Sequence, residues 1–212
     1  MPCCGQCAGI EREFNTKVAA RELAAYRRRG IRGTTKMLIG LLHQAQAEGA
    51  TLLDIGGGIG AIQHELAPSL AQITSVDAAP AYLEAQKSEA ARQGYAGRVS
   101  YRHGDFVTVA GEIPEHDVVT LDRVICCYPD MRALVERSAE RARRFYAAVY
   151  PRGTWWNMVG LTLGNVVMRL RRSSFRGYVH SPAQIEHILA AHGLRLQAAR
   201  ETFIWRVAVY AR

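Results

Sequence analysis

Leu53-Asp54-Ile55-Gly56-Gly57-Gly58-Ile59-Gly60 is the stretch that decides the fold. A short apolar run, Thr51 to Ile55, leads into it and reads as a strand, and Gly60 to Leu70 reads as a helix. Glycines between a strand and a helix let the backbone turn tightly and let a ligand approach it closely. The helix start beyond presents unpaired N–H groups and a partial positive charge. The same letters fit the looser dinucleotide pattern, with Gly56, Gly58 and Ala61 in its three positions.

Downstream, strands and helices alternate. Gln72 to Val76, Val99 to Arg102 and Asp117 to Leu121 are expected strands, and Pro80 to Gln93 an expected helix. Met131 to Tyr150 reads as one long helix and Thr154 to Val159 as a fifth strand, with Trp155 and Trp156 on its opposite faces, both able to join the core. Ser181-Pro182-Ala183-Gln184 carries the pattern of a capping box, and Gly193 ends the helix that it opens. Arg195 to Arg200 and Phe203 to Tyr210 are joined by a short link and should pair as an antiparallel hairpin. The alternation implies a doubly wound, mostly parallel α/β sheet. Upstream, residues 10 to 29 read as a helix, and Thr34 is placed to cap a second. The expected division is a tail and helical extension over 1–48, acting as a lid, and a ligand-binding domain over 49–212.

Two acids follow the glycines at telling distances. Asp77, in Val76-Asp77-Ala78, ends the second strand about twenty residues on, where a carboxylate accepts both ribose hydroxyls of a nucleoside. Asp105 and Phe106 follow the third strand; one can accept from an adenine amino group and the other can pack on the ring. Asp54 precedes the first glycine by two residues. A nicotinamide dinucleotide offers no cation there, whereas a methionine-derived ligand offers an ammonium group.

In these motifs the chain resembles the class I S-adenosylmethionine-dependent methyltransferases: Asp54 to Gly60 is similar to their first motif, Val76-Asp77 to the second, Gly104-Asp105-Phe106 to the third and Asp117 to Asp122 to the fourth. The resemblance implies a Rossmann-like seven-stranded sheet in the order 3-2-1-4-5-7-6 with the last strand antiparallel. It implies S-adenosylmethionine as cofactor and S-adenosylhomocysteine as product. Gly56, Gly57, Gly58 and Gly60 would then pass under the cofactor, and Asp54 would sit near its amino group. Asp77 with Ala78 would take the ribose, Asp105 and Phe106 the adenine, and Asp122 would stand where strand four ends.

The acceptor side is expected along Asp122-Arg123-Val124-Ile125-Cys126-Cys127-Tyr128-Pro129. His180, Tyr128 and Asp122 are the candidate catalytic bases for an oxygen or amine acceptor. Cys126, Cys127 and Tyr128 are the candidate substrate contacts. The adjacent thiols read either as small apolar fillers or as a soft site for a thiol or metalloid, joined by Cys3, Cys4 and Cys7. No zinc-like spacing is present, so no metal is expected. Tyr26, Arg32 and Lys36 of the extension are placed either to reach the pocket or to pack with a solvated basic face.

There are 27 Lys plus Arg against 19 Asp plus Glu, a net charge of +8. The excess sits in three arginine clusters, around 27–32, 137–144 and 169–176. These read as solvated helix faces or as the grip of an RNA methyltransferase, although no RNA-binding module accompanies them. An odd cysteine count, no secretory leader and no long apolar run make a cytoplasmic, non-spanning protein the expectation. The readings carried forward are methyl transfer to a small-molecule oxygen, sulfur or metalloid nucleophile, RNA methylation, and an NAD-dependent oxidoreductase.

Overall fold

A computed structural model describes residues 5–45 and 49–212, with side chains from Gly9 onward. The expectation placed on Cys3, Cys4 and the Cys7 thiol lies outside the described residues.

Seven strands form one sheet: β1 (Thr51–Ile55), β2 (Gln72–Asp77), β3 (Val99–His103), β4 (His116–Asp122), β5 (Ala142–Pro151), β6 (Arg195–Glu201) and β7 (Trp205–Ala211). Their order is β3-β2-β1-β4-β5-β7-β6, as the family resemblance implies. The pairs from β3 to β5 are parallel, and β7 runs antiparallel to both β5 and β6. Nine helices are described: α1 (Gly5–Glu13), α2 (Thr16–Arg29), α3 (Gly33–Gln44), α4 (Ala61–Leu66), α5 (Pro80–Arg92), α6 (Phe106–Val109), α7 (Met131–Ala139), α8 (Trp155–Leu170) and α9 (Pro182–Ala191).

The central strands are apolar on both faces, so alternation divides the core in two. Leu53, Val119, Tyr146 and Tyr210 point to the side covered by α7 and α9. Leu52, Val118, Ala147 and Val209 point to the side covered by α3 and α4. Parallel strands stacked in this way end together, and the loops after β1, β2, β3 and β4 converge at one edge.

The structure corrects several expectations. Residues 131–150 are not one helix: α7 stops at Ala139, and 142–151 form β5 in the middle of the sheet. An apolar run buried on both faces has no period to betray it. The fifth strand expected over 154–159 is instead the start of α8, and Trp155 is exposed rather than core. The helix over 10–29 is two helices, because the Asn15 side chain accepts from the Lys17 and Val18 N–H groups and starts α2 afresh. Thr34 lies within α3, whose N-cap is Arg32. Ser181 precedes α9 without a side-chain cap bond; its carbonyl accepts from Gln184 N instead. The helix expected over 60–70 ends as α4 at Leu66 and continues as a 3₁₀ turn.

Candidate active site

Where the strand ends converge lies a cavity of about 360 Å³. The loop between β1 and α4 forms its floor. Gly56, Gly58 and Gly60 all have positive φ (60°, 59° and 82°), the region that L side chains avoid. Gly56 N donates to the Val76 carbonyl at 2.7 Å, and a Cβ on Gly56 would lie 2.7 Å from Val124 Cγ2. A Cβ on Gly57 would overlap the Asp54 carboxylate. Gly60 does not line the cavity; it turns the chain into α4.

Asp54 is fully buried one layer beneath this floor. Its Oδ1 accepts from Thr120 Oγ1 at 2.7 Å, while Oδ2 has no hydrogen-bond partner. Burial raises its pKa to about 7. An unpaired buried carboxylate oxygen is costly, and a cation above the loop would relieve that cost. Asp77 ends β2 on the cavity wall, with Ala79 N donating to Oδ1 at 2.8 Å and Gly58 N to Oδ2 at 3.2 Å. Burial lifts its pKa to about 6 against those two donors. Beside it, Ala78, Asp105 and Phe106 line the cavity. Asp105 caps α6 through Val107 N, and its carboxylate accepts from the Tyr128 hydroxyl at 2.9 Å. The donor set thus fits a ligand with an ammonium at one end and a nucleoside at the other.

Sequence reasoning missed the props. Gln86 of α5 is fully buried; its Nε2 donates to the Gly58 carbonyl at 2.7 Å, and its Oε1 accepts from Ser75 Oγ at 2.6 Å. The signal was available, since Gln86 stands on the apolar stripe of α5 with Tyr82, Leu83 and Ala90, where a polar residue requires a partner. Tyr82 lines the cavity and donates to Glu22 of α2 at 2.8 Å. Phe14, in the link between α1 and α2, packs between Tyr82 and Phe175, with centroids 5.5 and 5.7 Å away. The N-terminal segment therefore contributes Ile10, Phe14, Glu22 and Thr35 to the cavity, and not Tyr26, Arg32 or Lys36. Tyr26 donates instead to Glu65.

Beyond β4 the wall is Asp122, Arg123, Cys126, Cys127 and Tyr128, with Trp205 of β7. Asp122 accepts from Thr35 Oγ1 at 2.5 Å and from Arg123 Nε at 3.1 Å. Arg123 has φ of 62°, an uncommon conformation for a side chain of its size. Both thiols approach the Arg123 carbonyl, at 3.3 and 3.5 Å, and the sulfurs are 3.7 Å apart. The contact with Cys127, together with burial, holds the Cys126 thiol high, while Cys126 and the Arg123 charge lower that of Cys127. His180 is not on the cavity wall. Its Nε2 lies 2.9 Å from the Tyr128 carbonyl, so it must donate there, and burial lowers its pKa. It holds the acceptor loop rather than facing the pocket.

Part of the arginine excess is paired with acids. Arg27 pairs with Glu89, Arg137 and Arg141 with Glu140, and Arg143 with Glu115. Among the described residues, no ion pair is formed by Arg169, Arg171 or Arg172.

Residues 52–153 match the family model described as a methyltransferase domain. The chain is 33% identical over 100 residues to a ubiquinone biosynthesis O-methyltransferase of Nitrosospira multiformis, a match over 47% of this chain and 41% of that protein. The chain thus spans less than half the length of this curated relative. The fold is similar to that of magnesium protoporphyrin IX methyltransferase from Synechocystis PCC 6803, solved with bound S-adenosylhomocysteine, at a TM-score of 0.68 and 19% identity over 84% of this chain and 81% of the other. It is also similar to an O-methyltransferase family protein from Burkholderia thailandensis, at a TM-score of 0.71 and 16% identity over 94% and 61%.

Proposed function

We propose that this chain, whose residues 52–153 match the methyltransferase-domain family model, is an S-adenosylmethionine-dependent methyltransferase that transfers a methyl group to an acidic oxygen on a small molecule. One observation carries the donor half: the orphaned Asp54 oxygen lies below the same loop that Asp77 flanks. S-adenosylmethionine, when bound, supplies a methyl group on a positively charged sulfur, which leaves as a neutral thioether. Asp54 would face its ammonium, Asp77 its ribose, and Asp105 and Phe106 its adenine. Gln86 keeps Gly58 in place so that the loop meets the ligand already formed.

An ionised oxygen as acceptor follows from the wall beyond β4. Asp122 already holds two donors and His180 is turned away, so neither is poised to take a proton. Arg123 lines the cavity and can hold an anionic acceptor by charge. A carboxylate or phenolate needs alignment with the methyl carbon more than it needs a base. Two of the relatives are named O-methyltransferases, which supports oxygen over sulfur or a metalloid. Of the extension before residue 48 we assign α1 and α2 as a lid, since Phe14 and Glu22 meet Tyr82 at the pocket, whereas α3 packs into the core.

Calorimetry with S-adenosylhomocysteine tests the donor half. Asp77→Ala should weaken binding by about 1–3 kcal/mol, the scale of hydrogen bonds to a charged group. Undiminished heat would remove the pocket assignment. The acceptor half is read by mass spectrometry of trideuteromethyl transfer to a panel of carboxylates, phenols and thiols. Arg123→Gln should raise KM for the anionic acceptor about tenfold while leaving the S-adenosylhomocysteine heat intact. A KM that does not move would count against Arg123 as the counter-charge.

A further inference from the structure

Helix α8 is amphipathic the wrong way round. Its inward residues include Asn157 and Asn165. The Asn157 amide donates to the carbonyls of Arg152 and Ile204, and Asn165 exchanges two 2.8 Å bonds with the backbone of Gly177. Its outward residues recur at helical spacing and are apolar: Trp155 (68% exposed), Met158, Val159 and Leu163 (62%). The stripe continues through Val166 and Val167 to Leu170 (79%). Thr162, the one hydroxyl on that side, spends it on the Met158 carbonyl. The patch extends beyond the helix, because the Trp156 ring stacks at 5.2 Å on Phe203, itself 71% exposed in the β6–β7 turn. Two separate segments thus leave large apolar side chains in water on one side of the molecule, and such a patch marks an interaction surface.

Charge identifies what covers it. No acidic residue occurs between Glu140 and Glu186, and Arg169, Arg171 and Arg172 close the stripe, all exposed. Apolar side chains flanked by cations, with tryptophan at one end, match the boundary of acyl chains and negatively charged headgroups. A second copy of this chain would bring only Glu201 beside the β6–β7 turn, already paired with Arg152 and Arg206, to meet those arginines. A 16-residue helix is about 24 Å long, short of the roughly 30 Å hydrocarbon core, so it would lie in the surface rather than cross it.

We propose that α8 and the β6–β7 turn dock this protein on the surface of an anionic lipid bilayer. The surface adjoins the candidate site. After α8 the chain runs to Tyr178, whose N–H donates to the Cys126 carbonyl at 2.7 Å, and Phe175 packs on Phe14 over the pocket. Docking would therefore set the pocket mouth beside the bilayer. The docking inference itself does not depend on methyl transfer.

The test is flotation of the intact chain with vesicles of equimolar phosphatidylcholine and phosphatidylglycerol, and with phosphatidylcholine alone. The chain should float with the anionic vesicles and much less with the neutral ones, and added salt should release it. Leu163→Asp with Val166→Asp, and separately Arg169→Gln with Arg171→Gln and Arg172→Gln, should each lower partitioning by about tenfold or more. Cooperative thermal unfolding at the wild-type temperature shows that these variants fold; the altered side chains are exposed, so it should be retained. Failure of the wild type to float, equal flotation by both variants, or a dimer in light scattering that Leu163→Asp with Val166→Asp splits would each overturn the proposal. The last result would assign the face to a second copy.

Discussion

Gly57→Ala should cost about 1–3 kcal/mol of stability and abolish S-adenosylhomocysteine binding, because its Cβ overlaps a carboxylate that has nowhere to go. The backbone at Gly57 is not in the left-handed region, so the penalty is purely one of space. Gly58→Ala is the contrast. Its Cβ would meet only the Tyr82 ring, at 3.9 Å, and the positive φ costs about 1 kcal/mol. That variant should stay folded and lose binding mainly, since Gly58 lines the cavity. Asp54→Ala in the Gly57→Ala background makes room and should recover most of the lost stability without restoring binding. Urea unfolding of the four chains reads the coupling. Additive losses at 54 and 57 would show that the two groups do not collide.

Asp54→Asn should make the unliganded protein more stable at pH 8 and a poorer binder. The sign follows from burial. The folded-state pKa of Asp54 is about 7, raised from 3.8, and that of Asp77 about 6. Between pH 4 and 7 the folded chain therefore holds protons that the unfolded chain has released, and stability is lost as pH rises through that window. Removing the Asp54 charge should return on the order of 2 kcal/mol at pH 8 and little at pH 4. S-adenosylhomocysteine carries the same ammonium, so its affinity should fall roughly tenfold or more. In the wild type, binding at pH 6 should release protons, read by calorimetry in buffers of different ionisation enthalpy. An Asn variant that binds as well as the wild type would sever Asp54 from the ligand.

What could be read from the letters was what repeats locally. The glycine turn, Asp77 and Asp105 each follow a strand end at fixed distance, and all three fall on the same edge of the sheet. The hairpin at 195–211 was legible because its link is short. β5 was not, since Tyr146, Ala147, Ala148 and Val149 are buried on both faces, between β4 and β7, and a run apolar throughout shows no strand period. The start of α8 was misread for a related reason: adjacent tryptophans read as strand residues able to join the core, and Trp155 instead lies exposed on a helix. Within the site, Tyr82 and Thr35 escaped notice because each meets its partner across a long sequence separation, which no local pattern encodes; for Gln86 the stripe of α5 signalled burial but not which groups it would hold. His180 was attractive by residue type and by its place just before Ser181, and its ring is committed to a backbone carbonyl.

The three-ring cluster of Tyr82, Phe14 and Phe175 bears on timing. Taken as a lid, α1 and α2 anchor themselves with few deeply buried side chains, Ala19 and Leu23 among them, and can detach at much less cost than the sheet can unravel. Entry then waits on that parting of rings. The observed rate of ligand capture would level off at high concentration, at the frequency with which the N-terminal layer swings clear, and the same step would slow the escape of spent product.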